Sequence, residues 1–141
     1  MSARGKSFEE IEIGEKASVT KTISETDVYL YAGISGDFNP LHVDEEYAKT
    51  TEFGKRIAHG GLAGSLLAPV LGMKLPGLGT VALETTTKFR RPVFFNDTIT
   101  CEVQVIEKVE KLKAIRMKVL WTNQKKETVM KGECLVIPPN Q

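Results

Sequence analysis

Two kinds of pattern divide the chain. From about residue 26 to 75 the apolar positions follow helical or turn-like spacing, and from about 80 to 137 they alternate with period two. The second half is the clearer. Ile99, Cys101, Val103 and Val105 fall on one side, with Thr100, Glu102 and Gln104 on the other. After a charged break at 107–113 the alternation resumes, with Ile115, Met117, Val119 and Trp121 opposite Arg116 and Lys118. Residues 123–127 read as a polar turn and 129–137 as a further strand. The Thr-rich stretch 81–90 is β-prone and stops before Pro92, which cannot donate to a ladder. A short first strand is predicted at 17–23. Strands joined by short polar turns imply a largely antiparallel sheet with one buried face.

Such a sheet needs a cover. The spacing predicts one helix over 61–73, where Leu62, Leu66, Val70 and Met73 recur at helical intervals with Leu67 and Leu71 beside them. Its remaining positions are small and almost uncharged, the mark of a helix buried all round. Gly64 and Pro69 lower its propensity and point to close packing or a bend. The expected architecture is α+β: a curved antiparallel sheet wrapped around one central, largely apolar helix. No repeat, linker or low-complexity segment interrupts residues 1–141, so one domain is expected.

Composition changes little in this picture but excludes several functions. The 141 residues carry 19 Lys+Arg against 18 Asp+Glu, a net charge of +1. That balance argues against nucleic acid as the main partner, since binding phosphate backbones needs a basic excess. Cys101 and Cys134 are too few for a disulfide scaffold and sit in alternating apolar stretches, where buried free thiols are expected. The start has no apolar signal region, and the most apolar run, 60–75, is shorter than the ~20 residues of a spanning helix. A cytoplasmic location is expected, with the mitochondrial matrix as the alternative if an import sequence is missing.

Only two histidines occur, each in a distinctive setting. His42 closes the segment Ser35-Gly36-Asp37-Phe38-Asn39-Pro40-Leu41-His42-Val43-Asp44, dense in turn formers, with Asn39 pushed out of the helical region by Pro40. A turn there lets Asp37 and His42 face one space, as a reaction needs when one atom loses a proton and another gains one. The bland alternative is that Asp37 closes a turn while His42 sits in its wall. His59 precedes Gly60 and Gly61 at the predicted helix start, where exposed N–H groups suit a carbonyl that gains negative charge, or simply form a turn. Ser65 is the lone hydroxyl of the apolar run, and from spacing alone bonds back to the preceding turn. His42-Val43-Asp44 lacks a recognisable metal-ligand spacing, so no metal is expected. No dinucleotide or P-loop fingerprint is present, and no cofactor is expected. The cluster Lys88, Arg90 and Arg91 reads as a solvated strand face, from which one or two residues could contact a phosphorylated carrier.

The segment from Tyr31 through Asp44 closely resembles the motif of the R-specific enoyl-CoA hydratases, the MaoC-like dehydratases of the hot-dog superfamily. The similarity runs on through His59-Gly60-Gly61-Leu62 and Ser65 to Phe89-Arg90-Arg91-Pro92-Val93-Phe94 and covers nearly the whole chain. The resemblance implies a hot-dog fold and reversible hydration of trans-2-enoyl-CoA to (3R)-3-hydroxyacyl-CoA, with Asp37 and His42 as the catalytic pair. It further implies that Ser65 steadies Asp37, that Asn39 supports the turn, and that Gly60 or Gly61 N–H receives the thioester oxygen. An acyl-CoA or acyl-carrier-protein thioester is the expected partner, handled by a homodimer or larger homo-oligomer with its acyl tunnel at the interface. Gly61 stands where many members carry a larger residue such as Met, which bears on local pocket shape. The alternatives are a carrier-protein dehydratase of fatty-acid synthesis, a hot-dog thioesterase, and a non-catalytic acyl-CoA-binding module. A module of the last kind would be expected to have lost Asp37 or His42, and both are present.

Overall fold

In a computed structural model, residues 4–140 are described. Five strands form one antiparallel sheet: β1 Lys16–Thr22, β2 Val81–Phe89, β3 Thr98–Val109, β4 Ala114–Thr122 and β5 Thr128–Ile137, in the order β1-β3-β4-β5-β2. The alternation read from the sequence is the burial pattern observed. Ile99, Cys101, Val103 and Val105 of β3, and Ile115, Met117, Val119 and Trp121 of β4, all point into the core. The charge pattern predicts a break at 107–113, yet β3 runs on to Val109. A register shift between Val105 and Glu107 moves its last residues out of phase, and the turn follows at 110–113. Bulges of this kind increase local twist and bend, and help the sheet to curl. Gly132 allows β5 to lie close to β2, since a Cβ there would stand 1.8 Å from the Thr86 carbonyl oxygen.

The helical half comprises α1 Glu25–Ser35, α2 Pro40–Val43, α3 Glu45–Lys49, α4 Gly60–Gly64 and α5 Leu67–Met73. The single helix expected over 61–73 is thus two, and the cause is Pro69. Proline has no N–H to offer and its ring crowds the carbonyl four residues back, that of Ser65. Ala68 N–H takes up that carbonyl instead, at 3.1 Å, and the chain turns tightly through Ser65 and Leu66. Nor is this segment buried all round. Ala63, Leu66, Leu67, Val70 and Leu71 enter the core, and α5 packs on β1 and β3, while Gly61, Ser65, Ala68 and Met73 face outward. The sheet therefore covers one side of α4 and α5 only.

Candidate active site

The helical half serves to build one turn. Ser24 and Asp27 form a reciprocal cap that fixes the start of α1, and Gly36 ends that helix in the left-handed region at φ 80°. From there three side chains interlock. Ser35 Oγ accepts from Asp37 N–H at 3.1 Å, Asp37 Oδ1 accepts from Asn39 N–H at 3.1 Å, and Asn39 Oδ1 accepts from Leu41 N–H at 3.0 Å. Asn39 thereby caps α2, whose first residue is Pro40 and which carries His42. With one oxygen of Asp37 engaged in this ladder, the other, Oδ2, lies 3.9 Å from His42 Nε2.

His42 is held from behind. Its Nδ1 sits 2.7 Å from the carbonyl oxygen of Ile57, which can only accept, so Nδ1 donates and, in the neutral imidazole, Nε2 presents a lone pair toward Asp37. Ile57 is itself fixed by a bridge to Phe94 and an N–H bond to the Leu41 carbonyl. The 3.9 Å gap is too long for a direct hydrogen bond but suits two acceptors sharing one small molecule. The environments of the pair differ: the His42 side chain is 10% exposed and that of Asp37 51%.

His59 completes the cluster, a partner that the site assignment from sequence passed over. Its ring stacks on that of His42 with centroids 3.9 Å apart, and its Nε2 lies 2.9 Å from the main-chain oxygen of Asp37. The Gly-Gly sequence after it had marked a possible site, but neither spacing nor composition showed that the two imidazoles would meet. Beyond His59, the N–H groups of Gly60 and Gly61 open α4 and make no hydrogen bond among the described residues. Both glycines are required by close neighbours. A Cβ on Gly60 would stand 2.5 Å from the Phe89 ring, and one on Gly61 2.1 Å from the Tyr31 hydroxyl. Tyr31 thus fills the space a larger residue at 61 would need. Ser65 does not reach Asp37: it is exposed, and its hydroxyl donates to the Leu62 carbonyl at 2.5 Å.

A cavity of about 330 Å³ adjoins Gly60, walled by Phe53, Ile57, Ala58, Phe89 and Met130, with Arg90 and Arg91 at its rim. A larger hollow of about 480 Å³ lies on the outer face of the sheet among Lys16, Glu102, Lys118, Lys131 and Glu133, away from every residue of the turn. Its mixed charges offer no comparable chemistry. Asp37, His42 and His59 hold ligand-type atoms within 4.8 Å of one another. A tetrahedral ion needs in-plane lone pairs converging at ~2.0–2.1 Å. Here the two rings stack on each other, and each has one nitrogen committed to a carbonyl, so the cluster fits proton handling better than a metal. Cys101 and Cys134 are free and buried; burial pushes their thiols up to about 12 and about 11.

A curled antiparallel sheet on a short helical cover, with a carboxylate and an imidazole converging beside main-chain N–H donors, defines a hot-dog protein of the dehydratase type. The chain belongs to the MaoC-like domain family, whose model matches residues 8–128. It is 45% identical over 132 residues to the (R)-specific enoyl-CoA hydratase of Rhodospirillum rubrum, covering 94% of this chain and 91% of that protein. To the 3-hydroxybutyryl-CoA dehydratase of Methylorubrum extorquens it is 39% identical over 134 residues, covering 95% and 85%. Among solved structures, the unliganded R-hydratase of Pseudomonas aeruginosa superposes with a TM-score of 0.92 at 40% identity, covering 98% of this chain and 88% of that one.

Proposed function

We propose that the protein catalyses reversible syn addition of water across the double bond of a trans-2-enoyl-CoA, giving the (3R)-3-hydroxyacyl-CoA. The enzyme is a hydro-lyase. One observation carries the reading: His42 Nε2, freed by the Ile57 carbonyl, faces Asp37 Oδ2 across 3.9 Å. Two acceptors at that separation can each take one hydrogen of a single water, leaving its oxygen lone pair free to attack C3. As the C3–O bond forms, the pair accepts a proton from the water and electrons move through C2 onto the thioester oxygen. The pair then returns that proton to C2, so the protein ends as it began. Gly60 and Gly61 N–H would hold the thioester oxygen while charge resides there, a role in which losing one donor costs about 3–4 kcal/mol in well-measured cases. The apolar cavity beside Gly60 would lodge part of the acyl thioester. Arg90, which has no ion pair among the described residues, and Arg91 at its rim would meet the phosphates of the carrier.

The reading includes a dimer. All nine residues of β2 are exposed, and this edge strand offers Val81, Leu83 and Phe89 to the outside, Phe89 beside Gly60. A second copy laid on this flank would cover the edge and close the groove. Sedimentation at micromolar concentration should give about twice the 15.6 kDa chain mass; a lone protomer would remove this part of the proposal. No helix among the described residues is long and apolar enough to cross a membrane. Two free buried thiols suit a reducing compartment, the cytoplasm in this reading.

The decisive test is turnover of crotonyl-CoA by Asp37→Asn and His42→Ala. Each should fall by at least ~10²-fold with melting unchanged, and chiral analysis of the wild-type product should return the 3R alcohol. Near-normal hydration by either variant would refute the assignment.

A further inference from the structure

His59 stands at the junction of all three parts of the site yet is given no part in the chemistry above. It is 3% exposed, and as the residue preceding α4 its carbonyl accepts from Leu62 and Ala63 N–H, while its side chain does no capping. The side chain reaches away from its own helix. Because the Asp37 carbonyl can only accept, His59 Nε2 must donate, at 2.9 Å, and this anchors the main chain of Asp37. The face of the same ring lies on His42 at 3.9 Å and 29° between planes, and Tyr31 backs it at 4.9 Å. One imidazole therefore sets the backbone of the acid and the plane of the base. It is also joined by a single peptide bond to Gly60.

We infer that His59 is a positioning residue that locks Asp37 and His42 into register through one hydrogen bond and one ring stack. The inference rests on the proposed hydration, since it assigns a role within that same site. The Nδ1 of His59 is buried and without a hydrogen-bond partner, and its Nε2 is committed to a carbonyl, so the ring exchanges no proton with the substrate. Its contribution is geometric, and displacements of about 1 Å at a reacting centre can cost ~10²-fold.

The two contacts can be removed separately. His59→Gln keeps an amide nitrogen near the Nε2 position and loses the stack. His59→Phe keeps the stack and loses the donor. His59→Ala loses both. With crotonyl-CoA, His59→Ala should lower kcat by ~10–10²-fold with KM changed less than ~3-fold, the sign of an interaction that acts on the reacting geometry. The Gln and Phe variants should each recover part of that loss at unchanged melting temperature. In the His42→Ala background, His59→Ala should cost less than it does in the wild type, because one of its two targets is gone while the bond to Asp37 remains. The inference is overturned if His59→Ala keeps kcat within ~3-fold of wild type. It is equally overturned if Gln and Phe are both as inactive as Ala while folded, which would make the imidazole itself the reacting group. If His59→Ala fails to fold, the Gln and Phe variants decide alone. Should Asp37→Asn and His42→Ala retain activity, the hydration mechanism fails first; if they are inactive and all His59 variants are normal, only this inference fails.

Discussion

Strands β3 and β2 belong to one sheet and have similar β-forming sequences, yet they lie in opposite surroundings. Every second residue from Ile99 to Val105 is buried, whereas no residue from Val81 to Phe89 is. The difference comes from position. β3 lies between β1 and β4 under α5, while β2 is an edge strand that meets the helices only near its end, where Phe89 lies beside Gly60. The covered side supplies stability, and the uncovered side carries what a substrate and a second subunit would touch.

That contrast can be broken from either side. The largest effect is expected at the covered side: Trp121, 1% exposed, fills the centre of the core, and Trp121→Ala should cost about 3–5 kcal/mol in denaturant unfolding. Next comes the boundary between core and site. Gly61→Met should cost about 1–3 kcal/mol through collision with the Tyr31 hydroxyl, and most of this should vanish in the Tyr31→Ala background, a coupling read from a double-mutant cycle. At the uncovered edge, Leu83→Asp should change protomer stability by no more than ~0.5 kcal/mol while shifting sedimentation toward the single chain. Equal losses of stability for Leu83→Asp and Trp121→Ala would erase the distinction between the two sides.

The smallest effect concerns the core thiols. Cys101 and Cys134, pushed up to about 12 and about 11 by burial, remain neutral where an unfolded thiol titrates near ~8.5. Between those values the folded chain keeps protons that the unfolded chain has released, so stability falls as pH rises. Their contribution is complete below about pH 8.5 and is lost toward the folded values. Melting temperature should decline above that pH, less so in Cys134→Ala, and a thiol reagent should label neither cysteine at neutral pH until the protein unfolds.

What could be read along the chain was whatever depends on near neighbours. Period-two burial in β3 and β4 follows from the pleat alone. The turn that holds Asp37 and His42 was legible because Gly36, Asn39 and Pro40 restrict their own backbones, and because a carboxylate and an imidazole five positions apart have few ways to sit once that turn forms. The break at Pro69 was signalled as a possible bend, but its outcome, two helices with Ser65 between them and aimed at Leu62 rather than Asp37, depended on which carbonyl lost its donor.

Only the tertiary structure decided the rest, because it concerns residues far apart in sequence. The Ile57 carbonyl selects the tautomer of His42 across 15 positions, and His59 reaches the Asp37 main chain across 22. Tyr31 occupies the space beside Gly61 across 30 (61 − 31). Whether a strand or helix face is buried depends likewise on what packs against it: β2 is as β-prone as β3 and has the exposure of an edge. Local sequence fixes backbone conformation through short-range sterics and hydrogen bonds, whereas chain folding brings distant groups within bonding distance and so decides which of them can work together.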